Sequence, residues 1–477
     1  MLSLRREGYG GATRMPLGPF GGDFVFLLKP EVLKQALLED AEAYFPRRYS
    51  VPLFNVLELD RGIVYEQGKR HRRQKKLCVP SFEQSRSMSS FLSAVQDEAD
   101  VLSTEWTARA ARSSSSSLRL DLYKEMRRLT LSVILRVTLG LGEAGREFRE
   151  ADALSATIGA YLEAIVRTRR LIATSNWVRL STPSTRHIPC AQVATANEIP
   201  PLWSISPELS PNYRKVTTEL LPRLRALVAE VIRERRATKG FAEGDATAAD
   251  DRADLLSVLV RDGDLSDADI QFVLFDLVIA GSDTTASTIA AALFLLHEPR
   301  HEVMLRRMRR EVADVDVLGL TLEQVRDRLP YATVVAREVL RLYPPVPFVG
   351  RTAVAGTSLG GLEVPSGGTL CFSPYALGRD PQSWGEGADA FDPQRWIDDP
   401  AGGGAPSSFC WLPFGAGPRG CLGTRLGLTE VVIGVALLVQ RFDFAFEKNE
   451  LEYKYDLTLN LEGTTECDAR VRNANVN

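Results

Sequence analysis

The chain has 477 residues, of which 44% are hydrophobic and 25% charged, and its formal net charge is −3. These values are typical of a globular protein and exclude a disordered chain, which combines few apolar residues with a large net charge. A sequence pI near 6.0 argues against a generally basic protein that binds nucleic acid. The six cysteines are scattered without a CxxC pair, which indicates a reducing compartment rather than a disulfide scaffold.

No segment of the sequence predicts secretion or insertion into a membrane. Residues 1–15 are basic and glycine-rich, without the apolar core of a secretory signal. No uninterrupted apolar run reaches the length of about 18 residues that a membrane span needs. We therefore expect a soluble protein of the cytoplasm or of an organelle such as the plastid.

The first half of the chain changes from β-rich to helical patterning. Residues 1–60 form a β-rich part, with a strand at 24–28 and a helix over 31–39. Helical periodicity dominates from Phe91 onward. The segment 171–197 is rich in Ser, Thr and Arg, contains two prolines and has no periodicity, so we interpret it as an insertion.

The strongest helix signal begins at Ser266, which opens a capping box. The helical pattern continues until Pro299 ends it, a length of about 50 Å that would span the whole molecule. Short β pieces return at 351–359, and an apolar helix covers 422–440. The pattern is mainly α with a minor β part, and no clean linker divides it, so the sequence predicts a single large domain over 1–477.

Residues 411–423 form a glycine-rich loop that delivers Cys421 to the start of a helix. Unpaired N–H groups and the positive end of the helix dipole favour a thiolate there. Gly423 allows a flat cofactor to approach the backbone, Arg419 supplies a cation and Phe414 an apolar shield. A thiolate with these neighbours is a good axial ligand for haem iron. A bare glycine–cysteine–glycine turn more often holds a buried structural cysteine, so the complete pattern decides.

That pattern, Phe414-x-x-Gly417-x-Arg419-x-Cys421-x-Gly423, resembles in full the cysteine-loop signature of the cytochrome P450 family. The resemblance implies the cytochrome P450 fold enclosing haem b, with Cys421 as the axial thiolate ligand of the iron. The resemblance covers essentially the whole chain apart from the insertion and the last dozen residues. The sequence is more similar to eukaryotic-type members of the family than to small bacterial ones. The chain starts about where the family's first β-sheet begins, so either the native chain is longer or the protein lacks a membrane anchor.

A charged pair in the sequence REVLRLYPP matches a second feature of the family. Glu338 and Arg341 lie three residues apart and therefore share a helix face. Such a pair in isolation is usually a solvated ion pair on the surface. Together with Arg395, in FDPQRW, it resembles the family's buried Glu-Arg-Arg lock. The resemblance implies that the three residues stabilise the proximal side of the haem and take no part in catalysis.

The long helix contains Ala280-Gly281-Ser282-Asp283-Thr284-Thr285, which resembles the oxygen-activation motif of the family. Small and hydroxylated residues weaken the backbone ladder of a helix and permit a local bulge. In isolation the segment is better interpreted as an incidental kink. The resemblance implies instead that Ala280 borders the haem and that the Thr284 hydroxyl and the Asp283 carboxylate form the catalytic proton route.

Basic residues supply the remaining candidates for haem binding. Arg351 stands where the family has an arginine that binds a haem propionate. His71 occupies the aromatic position of a W/H-x-x-x-R pattern, and Lys75 replaces its arginine as a point charge rather than a fork. The run KRHRRQKK around them is otherwise a solvated basic surface. It also suits docking of an acidic redox partner, a reductase or a ferredoxin, on the proximal face.

Together these features predict a haem-thiolate monooxygenase. It would insert one oxygen atom of O2 into an apolar organic substrate, a fatty acid, terpenoid or carotenoid, using electrons from NAD(P)H delivered by the redox partner. Two alternatives stay open: a haem-thiolate isomerase or dehydratase, which has less use for Asp283 and Thr284, and a catalytically silent haem-binding relic. The sequence identifies neither the individual substrate nor the redox partner.

Overall fold

The computed structural model describes residues 12–16, 23–49, 61–113, 117–140, 214–238, 254–262, 264–397, 407–455, 458–461 and 463–472. The segment 171–197, which we interpreted as an insertion, lies outside the described residues. Of the β-rich part predicted over 1–60, the structure describes three strands and one short helix. The predicted mainly α fold with a minor β part is confirmed.

Helices make up most of the described chain. Two π-helical turns are also present in this part of the chain. One, over Gln35–Glu39, follows the helix Pro30–Lys34, and the other, over Lys215–Leu220, precedes the helix Leu221–Thr238. In chain order the helices are α1 (Pro30–Lys34), α2 (Gly68–Glu83), α3 (Ser85–Arg112), α4 (Leu122–Leu139), α5 (Leu221–Thr238), α6 (Leu255–Arg261), α7 (Asp267–His297), α8 (Glu302–Val312), α9 (Leu322–Arg328), α10 (Pro330–Leu342), α11 (Pro374–Leu377), α12 (Pro381–Trp384) and α13 (Thr424–Arg441).

The described strands form four small sheets. The largest has five strands in the order β1-β2-β8-β5-β3, and a three-stranded sheet has the order β4-β12-β9. Two hairpins, β6-β7 and β10-β11, complete the set. The strands are β1 (Ala12–Pro16), β2 (Asp23–Leu27), β3 (Arg47–Arg48), β4 (Ser117–Asp121), β5 (Val349–Thr352), β6 (Thr357–Leu359), β7 (Leu362–Val364), β8 (Thr369–Phe372), β9 (Phe442–Phe446), β10 (Lys454–Tyr455), β11 (Leu459–Asn460) and β12 (Glu466–Val471).

Helix α7 is the central element of the fold and runs for 31 residues. Ser266 and Asp269 exchange side-chain to backbone hydrogen bonds at its start, which confirms the predicted capping box. The helix ends before Pro299, whose ring and missing N–H stop a helix. Its length and apolar composition would also allow a membrane crossing, and α7 is the one helix of the described chain that meets this test. The apolar side chains are mostly buried, as expected of a core helix that packs on α4, α10 and α13.

Helix α13 buries a carboxyl group, Glu430, that is only 3% exposed. One of its oxygens, Oε1, has no hydrogen-bond partner among the described residues. Desolvation therefore raises the pKa of Glu430 well above its ordinary value. A carboxyl with a raised pKa in the folded state binds its proton more tightly there than in the unfolded chain. Its contribution to stability is consequently lost as the pH rises above the unfolded pKa.

We expect Glu430→Gln, which keeps the shape of the side chain and removes the titration, to become increasingly more stable than the wild type as the pH rises. The difference should exceed about 1 kcal/mol once the pH is well above the ordinary glutamate pKa. Urea unfolding, followed by tryptophan fluorescence at several pH values, measures the difference. Glu323→Gln, at an exposed carboxylate, is the matched control. A pH-independent difference at Glu430 would mean that the carboxylate is paired.

Candidate haem site

The cysteine loop, residues 411–423, is closed by its own backbone. Residues Gly417–Arg419 form a 3-10 turn, and the Cys421 N–H donates to the Phe414 carbonyl at 2.8 Å. Gly417 has a φ of +68°, and a Cβ there would clash with the carbonyl oxygen of Leu37. Close packing on the N-terminal part of the chain therefore explains this glycine. Gly423 lies directly before α13, and a Cβ on it would meet nothing within 4 Å, which leaves the space that a flat cofactor needs.

Cys421 is the exposed cysteine of the described chain, whereas Cys78, Cys371, Cys410 and Cys467 are buried. Desolvation around the sulfur raises the pKa of the Cys421 thiol. The donors and cations around the sulfur act in the opposite direction, but less strongly. They are the Gly423 N–H, Arg48, the Thr424 hydroxyl and Lys75. The chain alone thus favours the thiol, contrary to the expectation from the helix dipole, and a bound metal cation is what deprotonates such a ligand outright.

Three guanidinium groups, those of Arg48, Arg351 and Arg419, gather beside the loop. Arg48 in β3 lies directly opposite Arg351 in β5 in the antiparallel register. An Arg48 N–H donates to the Arg419 carbonyl at 3.0 Å. Burial and the nearby guanidinium of Arg48 lower the pKa of Arg419 to about 9 and place that of Arg351 well below its ordinary value. Like charges placed opposite one another in a sheet are destabilising, so this arrangement calls for an anion.

The residues present fit haem on two counts. Arg351 is 3% exposed and donates to the neighbouring Gly350 carbonyl, and the buried Nε of Arg48 has no partner among the described residues. Buried charges are stable when paired, and the two propionates of haem are carboxylates that match the guanidinium fork. The open side of Gly423 lies beside the exposed Cys421. These residues would therefore hold haem through its propionates and its iron.

His71 and Lys75 lie on α2 and differ in what they contact. His71 is buried, and desolvation together with the charges of Arg419 and Lys75 lowers its pKa to about 3. The imidazole is therefore neutral at physiological pH. The Lys75 ammonium donates to the carbonyls of Pro418 and Gly420, at 2.7 and 3.2 Å. In this structure Lys75 thus supports the cysteine loop.

The motif over 280–285 lies within an uninterrupted α-helix, so the expected local bulge is not present. The hydroxyl of Thr284 donates to the Ala280 carbonyl at 2.7 Å, one turn earlier. Hydroxyl groups can make such bonds in addition to the backbone ladder, which stays intact. Gly281 serves the packing of α7 on α4, because a Cβ there would lie 2.9 Å from Ile134.

The carboxylate of Asp283 is held by three groups from two other segments of the chain. The Tyr123 hydroxyl, from α4, donates to Oδ1 at 2.5 Å, and Arg127, one turn later, lies 3.4 Å from the same oxygen. The Thr458 hydroxyl donates to Oδ2. Asp283 therefore has fixed donors on both oxygens, while Thr284 follows it in the chain. Tyr123, Arg127 and Thr458 are not predicted from the sequence, since no motif or spacing connects them with Asp283.

Glu338 and Arg341 form a buried bidentate pair on α10. Both residues are at most 1% exposed, and the Arg341 Nε and Nη2 atoms each lie 2.8 Å from a Glu338 oxygen. Arg395 donates to the same carboxylate at 3.0 Å. The structure therefore brings the three residues together in the interior rather than on the surface.

The segment after α12 completes this buried cluster. The Trp396 indole N–H donates to Glu338 at 2.9 Å, and so does the Asp392 N–H. All five N–H groups of Arg341 are satisfied, because those not bound to Glu338 reach the carbonyls of Gly378, Ala388 and Ala390. The cluster thus fastens the segment leading to the cysteine loop onto α10, and its role is structural.

The sequence was compared with a protein-family model and with known proteins. The family model of cytochrome P450 matches residues 4–188 and 190–464. Cyclooctatin synthase from Streptomyces melanosporofaciens is 30% identical over 80% of this chain and 73% of its own length. Cyclooctat-9-en-7-ol 5-monooxygenase from the same organism is 28% identical over 91% and 82%. The Arabidopsis thaliana protein LUTEIN DEFICIENT 5, chloroplastic, is 28% identical over 91% and 67%.

The family match extends over nearly the whole chain and includes every candidate residue of the site. Each of these three relatives aligns with at least 80% of the chain, so the similarity is not confined to the cysteine loop. Motif, geometry and comparison agree. The chain belongs to the cytochrome P450 family of haem-thiolate monooxygenases.

Proposed function

We propose that this monooxygenase inserts one oxygen atom of O2 into an apolar terpenoid, carotenoid or fatty acid. Two of its relatives are named for cyclooctatin and cyclooctat-9-en-7-ol, and a third for lutein. The part of α7 before Ala280 supports an apolar substrate. From Phe272 to Ile279 its one charged side chain is Asp276, whose carboxylate accepts the Val64 N–H at 2.7 Å.

The observation that carries the proposal is the arrangement of Thr284 and Asp283 on α7. Haem bound at Cys421 supplies the activation of O2. The Thr284 hydroxyl donates a hydrogen bond to the Ala280 carbonyl. Its oxygen can therefore still accept a hydrogen bond from a water molecule or another donor. The carboxylate of Asp283 accepts hydrogen bonds from the hydroxyls of Tyr123 and Thr458, which fix it one residue before Thr284. Together the two residues order a proton path along α7.

We expect Thr284→Ala to keep haem and substrate binding and still to draw electrons, while releasing much of the consumed oxygen as hydrogen peroxide. General acid–base groups contribute roughly 10²–10⁴-fold, so most of the coupling should be lost. Asp283→Asn should slow turnover as a whole. The measurement compares NAD(P)H consumed, product formed and peroxide released.

Thr285→Val is the matched control for this measurement. It removes a hydroxyl at the next position, where the side chain is buried and lies near Gly427 on α13. We expect it to couple electrons to product like the wild type. If Thr284→Ala also does so, the proton path is contradicted and an isomerase or dehydratase reaction, which needs no proton delivery to oxygen, is favoured.

The electrons for the reaction come from NAD(P)H through an acidic reductase or ferredoxin that docks on α2. Two of the exposed arginines of α2 are already paired: Arg70 with Asp269, and Arg73 with Asp262 and Asp264. Lys69 and Lys76 are exposed and seven residues apart, so they lie on one face of the helix and present net positive charge.

Charge reversal at both lysines, Lys69→Glu with Lys76→Glu, should slow reduction by the partner and abolish most of its salt dependence, because steering by surface charges is screened by salt. Stopped-flow reduction at increasing ionic strength measures both effects. Arg306→Glu on α8 provides a charge reversal at an exposed site elsewhere. An unchanged salt dependence in the lysine variant would place the docking surface outside α2.

A further inference from the structure

Asp276 is a buried carboxylate in the apolar part of α7. Its side chain is 6% exposed and has Phe275 and Leu277, both buried, on either side in the chain. The Val64 N–H donates to its Oδ2 atom at 2.7 Å. A charge in such a place is stable only when it is hydrogen-bonded, and this bond therefore fixes the peptide of Val64 against α7.

The peptide of Val64 belongs to a tight turn over residues 61–66. The N–H groups of Tyr65 and Glu66 both donate to the Gly62 carbonyl, at 3.2 and 2.8 Å. Gly62 lies flat against α7: a Cβ on it would be 2.6 Å from the Phe272 carbonyl oxygen and would clash with the Asp276 carboxylate. The turn is thus seated on α7 by contact as well as by the hydrogen bond.

The other side of the same turn is bound by the cysteine loop. Arg419 donates from Nη2 to the Val64 carbonyl at 3.0 Å and from Nη1 to the Glu66 carbonyl at 2.8 Å. When a planar guanidinium donates hydrogen bonds to two carbonyls, the positions of those carbonyls fix its orientation. Arg419 lies two residues before Cys421, so its orientation matters for the haem site.

We propose that Asp276 is a positioning residue for Arg419, which it reaches through the turn 61–66. The turn links α7 to the cysteine loop. The Asp276 carboxylate accepts a hydrogen bond from one N–H of the turn, and the Arg419 guanidinium donates to two of its carbonyls. Asp276 touches neither haem nor substrate in this role. The proposal rests on the haem site and is independent of the proton path through Thr284.

Removal of the carboxylate should loosen the turn and, through it, the orientation of Arg419 beside the haem site. We expect Asp276→Ala to release haem to apomyoglobin about tenfold faster than the wild type, because the Val64 N–H loses its hydrogen bond to a charged group. Amide hydrogen exchange in a peptide covering 61–66 should accelerate by a similar factor. Asp276→Asn retains an oxygen that accepts the Val64 N–H and should restore both rates.

Asp121→Ala is the matched control, because Asp121 is also a carboxylate that accepts a backbone N–H, that of Lys124 at the start of α4. It should lower the global stability without changing exchange in 61–66 or the release of haem. Gly62→Ala disturbs the same contact without removing the carboxylate: its Cβ would clash with the Phe272 carbonyl oxygen and with Asp276, and would push the turn off α7. It should accelerate exchange and haem release as Asp276→Ala does, and it tests the proposal even if Asp276→Ala does not fold.

A double-mutant cycle separates positioning from general stabilisation. Arg419→Lys keeps the charge but replaces the planar fork, whose two terminal nitrogens reach the two carbonyls, with a single ammonium nitrogen. If Asp276 acts through Arg419, Asp276→Ala should change haem release by less than about twofold in the Arg419→Lys background. Fully additive effects of the two substitutions would overturn the proposal. So would wild-type haem release by both Asp276→Ala and Gly62→Ala.

Discussion

Cys421→Ser is expected to abolish the thiolate signature in the spectrum of the reduced carbon monoxide complex. A serine hydroxyl stays protonated where a thiol ligand ionises, so the strong axial donor is lost. None of the other described cysteines can replace it. All four are buried, with side chains at most 2% exposed. The variant should therefore lose both the signature and the monooxygenase activity.

The measurement is the difference spectrum of the carbon monoxide complex, recorded with equal haem content. Cys78→Ala is the control, since burial raises the pKa of the Cys78 thiol to about 12 and leaves it an unreactive core group. It should keep the wild-type spectrum. Retention of the signature by Cys421→Ser would show that another residue ligates the iron.

Glu338→Ala is expected to lower the free energy of unfolding by about 3–5 kcal/mol, enough to prevent stable loading with haem. The reason is the penalty for an uncompensated buried charge. Arg341 is 1% exposed and would lose its bidentate partner, and Arg395 and Trp396 would lose their acceptor. Arg341→Ala should be equally harmful, because it leaves the Glu338 carboxylate in the same interior.

Denaturant unfolding and haem content measure this effect. The pair Glu302–Arg306 on α8 offers a matched comparison, because its side chains are 64% and 57% exposed. Glu302→Ala should cost no more than about 0.5 kcal/mol, as is usual for exposed pairs on a helix. A stable, haem-loaded Glu338→Ala protein would contradict the assignment of the cluster as a structural lock.

Short-range features of this protein can be predicted from the sequence because their physics is local. The capping box at Ser266 and the stop before Pro299 depend on residues at most three positions apart, and the structure confirms both ends of α7. The cysteine loop is likewise a run of consecutive residues, and its signature leads to the family that the comparisons establish. Glu338 and Arg341 share a helix face by spacing alone.

Partners that come from distant segments cannot be predicted in this way. The carbonyls that satisfy Arg341 lie 37 to 49 residues further along the chain, and backbone groups carry no side-chain signature. Arg48 shows the same limit, because it reaches the haem site only through its register opposite Arg351 in the sheet. A two-residue strand leaves no periodicity from which that register could be inferred.

The folded chain also adds contributions at two residues of the site that the local sequence does not show. The start of α13 favours a thiolate at Cys421, yet desolvation by the surrounding fold outweighs it and raises the thiol pKa. The resemblance implies that Lys75 binds a haem carboxylate, and in the folded chain its ammonium also reaches the carbonyls of Pro418 and Gly420. The family, the axial cysteine and the main helices can thus be predicted from residues close in sequence. The charge state and the partners of the site depend on desolvation and contacts that exist only once distant segments have packed together.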